Sequence, residues 1–182
     1  MSDNDILVMN KKGVKLSIAR IAYQIIEGAK DLDTLVLIGI RKGGVYLARR
    51  IAQEIKKIEG VEPKVGVLDI TLYRDDLDSN KPIFHKTEIP FSIDKKRVVL
   101  VDDVLFTGRT VRAALDGLMA AGRPKSVSLA VLIDRGNREM PIQADYIGKV
   151  VFTCPEDHVE VVFEEEEAED RVFITRKKVS DQ

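Results

Sequence analysis

The spacing of apolar positions changes period several times along the chain, and each change marks an element. From about Lys12 to Ala29, the residues Leu16, Ala19, Ile21, Ala22, Ile25 and Ile26 fall on one face of a 3.6-residue repeat, which predicts a helix. Thr34 to Ile40 is a short apolar run of the kind a buried strand makes. The helical period returns over Val45 to Ile58, with Leu47, Ala48, Ile51, Ala52 and Ile55 inward. Val65 to Leu72 predicts a strand, as does the β-branched run Val98 to Val101. A helix over 110–121 follows, with Val111, Ala114, Leu115 and Leu118 on its apolar face, and Gly122-Arg123-Pro124 stops it. Val127 to Ile133 is another strand. Alternating strands and helices predict an α/β fold, a parallel twisted sheet flanked by helices with right-handed crossovers. Near the end, Val159 to Phe163 and Val172 to Thr175 flank the acidic run Glu164 to Asp170, which predicts a C-terminal β-hairpin with a solvated turn.

In such a sheet, ligands gather at the carboxyl ends of the strands, so the residues there carry the chemistry. Val98-Val99-Leu100-Val101 runs into Asp102-Asp103-Val104-Leu105-Phe106 and then into Thr107-Gly108-Arg109-Thr110, which opens a helix. A helix N-terminus offers unpaired N–H groups and a positive dipole end to a phosphate. Gly108 lets the backbone approach closely, and Thr107 and Thr110 add hydroxyl donors. Two carboxylates just before that turn can accept hydrogen bonds from vicinal sugar hydroxyls. Strand, acid pair, small-residue loop and helix together predict a sugar-phosphate site.

Other strand ends add to it. Arg41-Lys42-Gly43-Gly44 places two cations beside two glycines, a composition suited to a tight anion loop. Tyr73-Arg74-Asp75-Asp76 leads into a polar stretch, 77–94, and loops of that length inside a compact domain are usually functional. Arg74 is a candidate for phosphate, since a guanidinium pairs bidentately with phosphate oxygens. His85 in this stretch is given no role. After Ile133, the run Asp134 to Pro141 carries four charges in six residues and is a candidate wall over a base, followed by Asp145-Tyr146-Ile147-Gly148-Lys149 as a short hood segment.

Composition narrows the class. The 182 residues are 45% hydrophobic and 32% charged with a net charge of −1, which fits a globular chain and excludes a disordered or strongly basic one. That length is expected to form one domain, with a core over about 12–135 and hood and hairpin segments over about 136–178. The single Cys154 has no partner for an intrachain disulfide and is read as a core or strand thiol. Asp3 and Asp5 stand where the cationic region of a signal peptide would be, and no apolar run approaches the roughly 20 residues of a membrane span. A cytoplasmic location is expected.

The run 98–110 resembles the phosphoribosyl-pyrophosphate (PRPP) motif of type I phosphoribosyltransferases. The resemblance narrows with Asp69-Ile70-Thr71-Leu72-Tyr73-Arg74-Asp75-Asp76-Leu77, Asp134-Arg135-Gly136 and Asp145-Tyr146-Ile147-Gly148-Lys149, which are similar to the PyrR family of pyrimidine operon regulators with uracil phosphoribosyltransferase activity. It extends from about Ile18 to Lys149. It implies the type I phosphoribosyltransferase fold and transfer of ribose 5-phosphate from PRPP to uracil, giving UMP and pyrophosphate, with Mg²⁺ held indirectly through Asp102 and Asp103. It assigns the ribose hydroxyls to Asp102 and Asp103, the 5′-phosphate to Thr107–Thr110, and pyrophosphate to Arg41, Lys42, Gly43, Gly44 and Arg74. Asp134 and Arg135 would face the base. It also implies UMP-dependent binding of leader mRNA from pyrimidine genes through Arg20, Arg138 and Lys149 on one face remote from the PRPP loop, and a homo-oligomer, a dimer.

Departures from the family pattern leave alternatives open. Arg41-Lys42-Gly43-Gly44 stands where these proteins carry Lys-Thr-Arg-Gly, and is similar to the Lys-Gly-Gly of hypoxanthine phosphoribosyltransferases. Against a purine enzyme, Phe106 stands where those enzymes have an Asp for the N7 proton, and Asp134 where they have a Lys for O6. Ala19, Tyr23 and Gln143 replace the expected Thr, His and Arg of the RNA face. A salvage enzyme without RNA binding, and an RNA-binding regulator that uses a weak site as a nucleotide sensor, are the competing readings.

Overall fold

The computed structural model describes residues 5–29, 31–73 and 87–176. Its elements run β1 (Asp5–Met9), α1 (Lys11–Gly28), β2 (Leu35–Ile40), α2 (Gly43–Glu59), β3 (Lys64–Leu68), a 3₁₀ turn (Thr71–Tyr73), β4 (Arg97–Leu105), α3 (Arg109–Ala121), β5 (Ser126–Asp134), β6 (Tyr146–Val150), β7 (His158–Val162) and β8 (Arg171–Thr175). Five strands form a parallel sheet in the order β3-β2-β4-β5-β6. The three others form an antiparallel sheet, β1-β8-β7. The predicted α/β fold is therefore present, a parallel sheet flanked by helices.

Each face of the parallel sheet carries its own core. On one side Leu35, Leu37, Val99, Val101 and Leu132 pack against Ile18, Ile21 and Ile25 of α1 and Leu47, Ile51 and Ile55 of α2. On the other, Ile38, Leu100 and Val131 meet Val111, Ala114 and Leu118 of α3. Because side chains alternate along a strand, β2 and β4 supply both cores and read as continuous apolar runs. Asn10 caps α1, its side chain accepting from the Gly13 N–H at 3.0 Å.

Three expectations change. Asp145–Lys149 is not a hood segment: Tyr146–Val150 is the edge strand of the parallel sheet, paired with β5 through Ala130↔Tyr146 and Val131↔Ile147. The strand predicted to reach Leu72 ends at Leu68, where Asp69 turns the chain by accepting from the Thr71 N–H at 2.8 Å. Cys154 is exposed in the loop after β6. The acidic turn after β7 is exposed over residues 164–169, as expected, but it is also tethered at its base. Arg50 of α2 pairs with Asp170 at 2.7 Å and Glu165 at 2.5 Å, lies 5.0 Å from the Phe163 ring centre, and Lys11 meets Glu164 at 2.8 Å. Asp170 is 4% exposed, and Phe163, fully buried, contributes about 2 kcal/mol of apolar burial. The small antiparallel sheet is thereby fastened to both helices of one layer.

Candidate active site

β4 runs four residues past the predicted Val101, because its pairing with β5 continues through Asp102↔Val131, Val104↔Ile133 and Leu105↔Asp134. The acid pair thus sits within the paired part of the strand, on a rigid support. Asp102 is 6% exposed, and its Oδ1 accepts from the Asp103 N–H at 3.0 Å. The Oδ1 of Asp103 accepts from the Val104 N–H at 2.8 Å. Burial pushes the Asp103 carboxyl above its ordinary value, against the interaction with Asp102 and the Val104 N–H, which hold it down.

The pyrophosphate loop predicted at Arg41–Gly44 is partly helix, since α2 already begins at Gly43. Both glycines sit at close approaches, Gly43 to a side chain and Gly44 to backbone. A Cβ on Gly43 would lie 2.1 Å from Oδ2 of Asp103, and one on Gly44 would lie 2.3 Å from the Val101 carbonyl oxygen. The start of α2 therefore rests directly on the acid pair's strand, with the Asp103 carboxylate in the space a side chain at 43 would fill. Arg41 and Lys42, joined by a cis peptide bond, precede that start, and the Arg41 N–H donates to Leu68 O at 3.1 Å.

α3 opens beside the same strand end. Gly108 has φ of +91°, a left-handed conformation that Gly adopts at low cost, and precedes the first helical residue, Arg109. Thr107 Oγ1 accepts from the Arg109 N–H at 3.3 Å. The turn forms a cleft of about 360 Å³ lined by residues 104–111 and Glu139. The strand that carries the acid pair thus has the start of α2 against it and leads through the Gly108 turn into the start of α3. Positive dipole ends suit phosphate groups, and the carboxylates suit hydroxyls.

Arg74 lies outside the described residues, as do Asp75, Asp76 and the rest of 74–86, including His85. Among the described residues on either side of it, Val67 and Glu88 exchange two hydrogen bonds of 2.8 Å, and the Asp69 N–H donates to Thr87 Oγ1 at 3.1 Å. Farther along the stretch read as polar loop, Ile93 is buried in the second core.

The residues after β5 are tied into the protein itself. Both carboxylate oxygens of Asp134 have partners within the chain. Its Oδ2 receives Arg138 Nη2 at 2.6 Å, and its Oδ1 receives the Gly136 N–H at 3.0 Å. Arg135 is 5% exposed, its guanidinium 4.0 Å from the Phe106 ring centre and hydrogen-bonded to Thr153 Oγ1 and Cys154 O. Burial lowers its pKa from the usual arginine value. It stacks on the Phe106 ring.

Arg20 and Lys149 do share a surface. Arg20 donates to Gly148 O and Lys149 Nζ to Val8 O at 3.1 Å, and both line a groove of about 490 Å³ with Leu7 and Leu16. Arg138 is absent from that groove. It donates to Phe106 O inside the PRPP-like loop at 2.8 Å, so the expected three-residue face, remote from that loop, is not formed. Glu139, one of the four charges after β5 and given no separate role by the sequence, pairs with Arg109 at 2.6 Å at the rim of the cleft. Its position follows from the turn at Gly136 and Asn137, both with positive φ, which no local pattern announces.

Among the described residues, no cluster of three or more His, Cys, Asp or Glu could hold a metal ion, and no helix is long and apolar enough to cross a membrane.

A family model described as a phosphoribosyl transferase domain matches residues 8–170. A protein named bifunctional protein PyrR from Pelotomaculum thermopropionicum is 56% identical over 92% of this chain and 93% of its own length. One of the same name from Enterococcus faecalis is 48% identical over 93% of this chain and 96% of its own. Among solved structures, a Trypanosoma cruzi hypoxanthine phosphoribosyl transferase superposes with a TM-score of 0.75 over 97% of this chain and 94% of its own, at 18% identity. A hypoxanthine-guanine-xanthine phosphoribosyltransferase gives 0.70 over the whole of both chains, also at 18%. At that identity these structures share the fold. The fold, the strand–loop–helix at 98–110 and the likeness to these relatives over nearly the full chain place the protein in the PyrR family of phosphoribosyltransferases.

Proposed function

We propose that the protein is a uracil phosphoribosyltransferase, joining uracil to PRPP to give UMP and pyrophosphate, and that it also regulates pyrimidine genes by binding leader mRNA when UMP is bound. The observation that carries the catalytic reading is the start of α2 resting against the acid pair's strand, with Asp103 seated against Gly43, while the same strand runs on through the Gly108 turn into α3. The second activity rests on the word bifunctional in the name of relatives about half identical to this chain.

The chemistry follows from the parts. Displacement at C1 of PRPP passes through a charge-separated, oxocarbenium-like state, so a protein acts by holding the reactants, stabilising the leaving pyrophosphate and excluding water. Thr107–Thr110 and the start of α3 take the 5′-phosphate. Asp102 and Asp103 orient the ribose hydroxyls. Lys42, the start of α2 and Arg74 receive the pyrophosphate. No nucleophilic side chain is needed.

Mg²⁺ fits this donor set as an ion that arrives with its ligand. Two carboxylates with no third ligand beside them among the described residues do not make a closed cage, and Mg²⁺ commonly binds through one or two carboxylates plus substrate phosphates and water. When bound it would neutralise charge developing on the pyrophosphate. Asp102 and Asp103 are the residues to hold it, indirectly.

Uracil is favoured over purines by Phe106, which cannot handle a proton at N7, and by the lack of a lysine at 134 for O6. The RNA surface is assigned to Arg20 and Lys149 in their shared groove. The protein is read as cytoplasmic and as a homo-oligomer. PRPP-dependent nucleotide formation, measured with uracil, hypoxanthine, guanine and orotate side by side, tests the reading: UMP formation should dominate, and equal or faster use of hypoxanthine would overturn it.

A further inference from the structure

The geometry points to Arg138 as a positioning residue for the 5′-phosphate loop, held ready by Asp134; this rests on the reading of 107–110 as a phosphate site. Three successive carbonyls of the loop are engaged from one side by the segment after β5. Leu105 O accepts from the Arg135 N–H at 3.0 Å, and Thr107 O from the N–H groups of Glu139 and Met140 at 2.9 and 3.0 Å. Between them, Phe106 O accepts from Arg138 Nη1 at 2.8 Å, the one side-chain donor of the set. In a trans peptide the N–H of the next residue points opposite the carbonyl. Holding the carbonyls of Phe106 and Thr107 toward 135–140 therefore turns the N–H groups of Thr107 and Gly108 away from that segment, as phosphate donors must be.

Arg138 also secures the segment that does the holding. Its guanidinium makes four hydrogen bonds: to Phe106 O, to Gly136 O at 3.0 Å, to Asp134 Oδ2 at 2.6 Å and, through Nε, to Ile142 O at 3.0 Å. It thus ties the end of β5, both limbs of the 136–142 excursion and the phosphate loop into one unit. The left-handed turn at Gly136 (φ 72°) and Asn137 (φ 57°) folds residue 138 back onto the strand end to make this possible. The side chains of Arg138 and Asp134 are 23% and 12% exposed, so the ion pair is shielded and holds its geometry. Lysine could replace the bond to Asp134, but not the fork of bonds to three carbonyls.

The test compares binding of UMP and uridine, which differ only in the 5′-phosphate, by calorimetry on the full chain, wild type and Arg138→Met, Arg138→Lys and Asp134→Asn variants. A positioning role predicts that Arg138→Met weakens UMP about tenfold with uridine affinity unchanged, that Arg138→Lys recovers only part, and that the KM for PRPP rises while the KM for uracil stays put. A merely structural role would lower both affinities in parallel, and that outcome, or an unchanged UMP-to-uridine ratio in all three variants, overturns the inference. If Arg138→Met does not fold, the ratio in Arg138→Lys and Asp134→Asn decides in the same way. A wild-type protein that binds UMP no better than uridine would instead overturn the phosphate-site reading itself.

Discussion

The neighbouring strands β4 and β5 both carry a largely buried aspartate near their carboxyl ends, and the two are treated in opposite ways. Asp134 is matched by an arginine at 2.6 Å and by a backbone N–H. Asp103 is met by backbone N–H and a second carboxylate, its carboxyl raised by burial, and among the described residues no cation is paired with it. A neutralised carboxylate is a strut. A carboxylate whose charge is left uncompensated costs stability in the empty protein and gains it when hydroxyls or a cation arrive. The contrast separates structural from ligand-facing acids where sequence shows only Asp at a strand end.

The sharpest break of that contrast is kinetic. Asp103→Asn should lower kcat/KM for UMP formation at least about 100-fold, roughly 2.7 kcal/mol of transition-state stabilisation; steady-state rates with PRPP and uracil check it, and normal turnover would remove Asp103 from the site. Next in size, Asp134→Asn strands Arg138 without its charge partner and should cost about 2 kcal/mol of folding stability. In a chain of this length that lowers Tm by about 4–8 °C, readable by calorimetry.

The same substitution at 103 should have the opposite sign. A carboxyl whose pKa is raised on folding binds its proton more tightly folded than unfolded, so stability falls as pH rises from the ordinary value of 3.8 through the raised one. Denaturation of the ligand-free protein at several pH values should show Asp103→Asn gaining on wild type across that window and remaining more stable at neutral pH. A drop in stability at neutral pH would mean that the Asp103 charge is compensated after all. The smallest effect concerns RNA. Lys149→Glu should weaken leader-RNA binding and reduce the slope of log K against log salt by about 0.7 to 0.9 for each phosphate no longer neutralised, in a filter-binding titration with and without UMP, with uracil transfer retained.

What the sequence disclosed was local. The strand, acid pair, turn and helix at 98–110 lie within thirteen consecutive residues, and the periods of α2 and α3 follow their buried faces; in α1 the buried face is Val14, Ile18, Ile21, Ala22 and Ile25, while Leu16 of the predicted face is exposed. What it concealed depends on distant partners. β1 is a five-residue strand whose partner, β8, is at the other end of the chain, Asp5 facing Thr175. β6 is an edge strand with only Gly148 buried, so its pattern resembles a loop's. Cys154, expected as a core or strand thiol, is exposed in the loop after β6, close to Phe152, which is 94% exposed. Arg138 read as a surface cation because its bonds to Asp134 and Phe106 require a left-handed turn between.

The close approach of Gly43 to Asp103 makes two stretches of sequence sixty residues apart a single inheritable choice. A side chain grafted at 43 would enter the volume the carboxylate now occupies, so its effect would depend on what stands at 103, and the reverse. Substitutions at the two positions should be strongly non-additive, as neighbours in direct contact are. An engineer importing the Lys-Thr-Arg-Gly loop into this protein would be placing an arginine where the Asp103 carboxylate now rests, so the acid would have to turn aside to admit it.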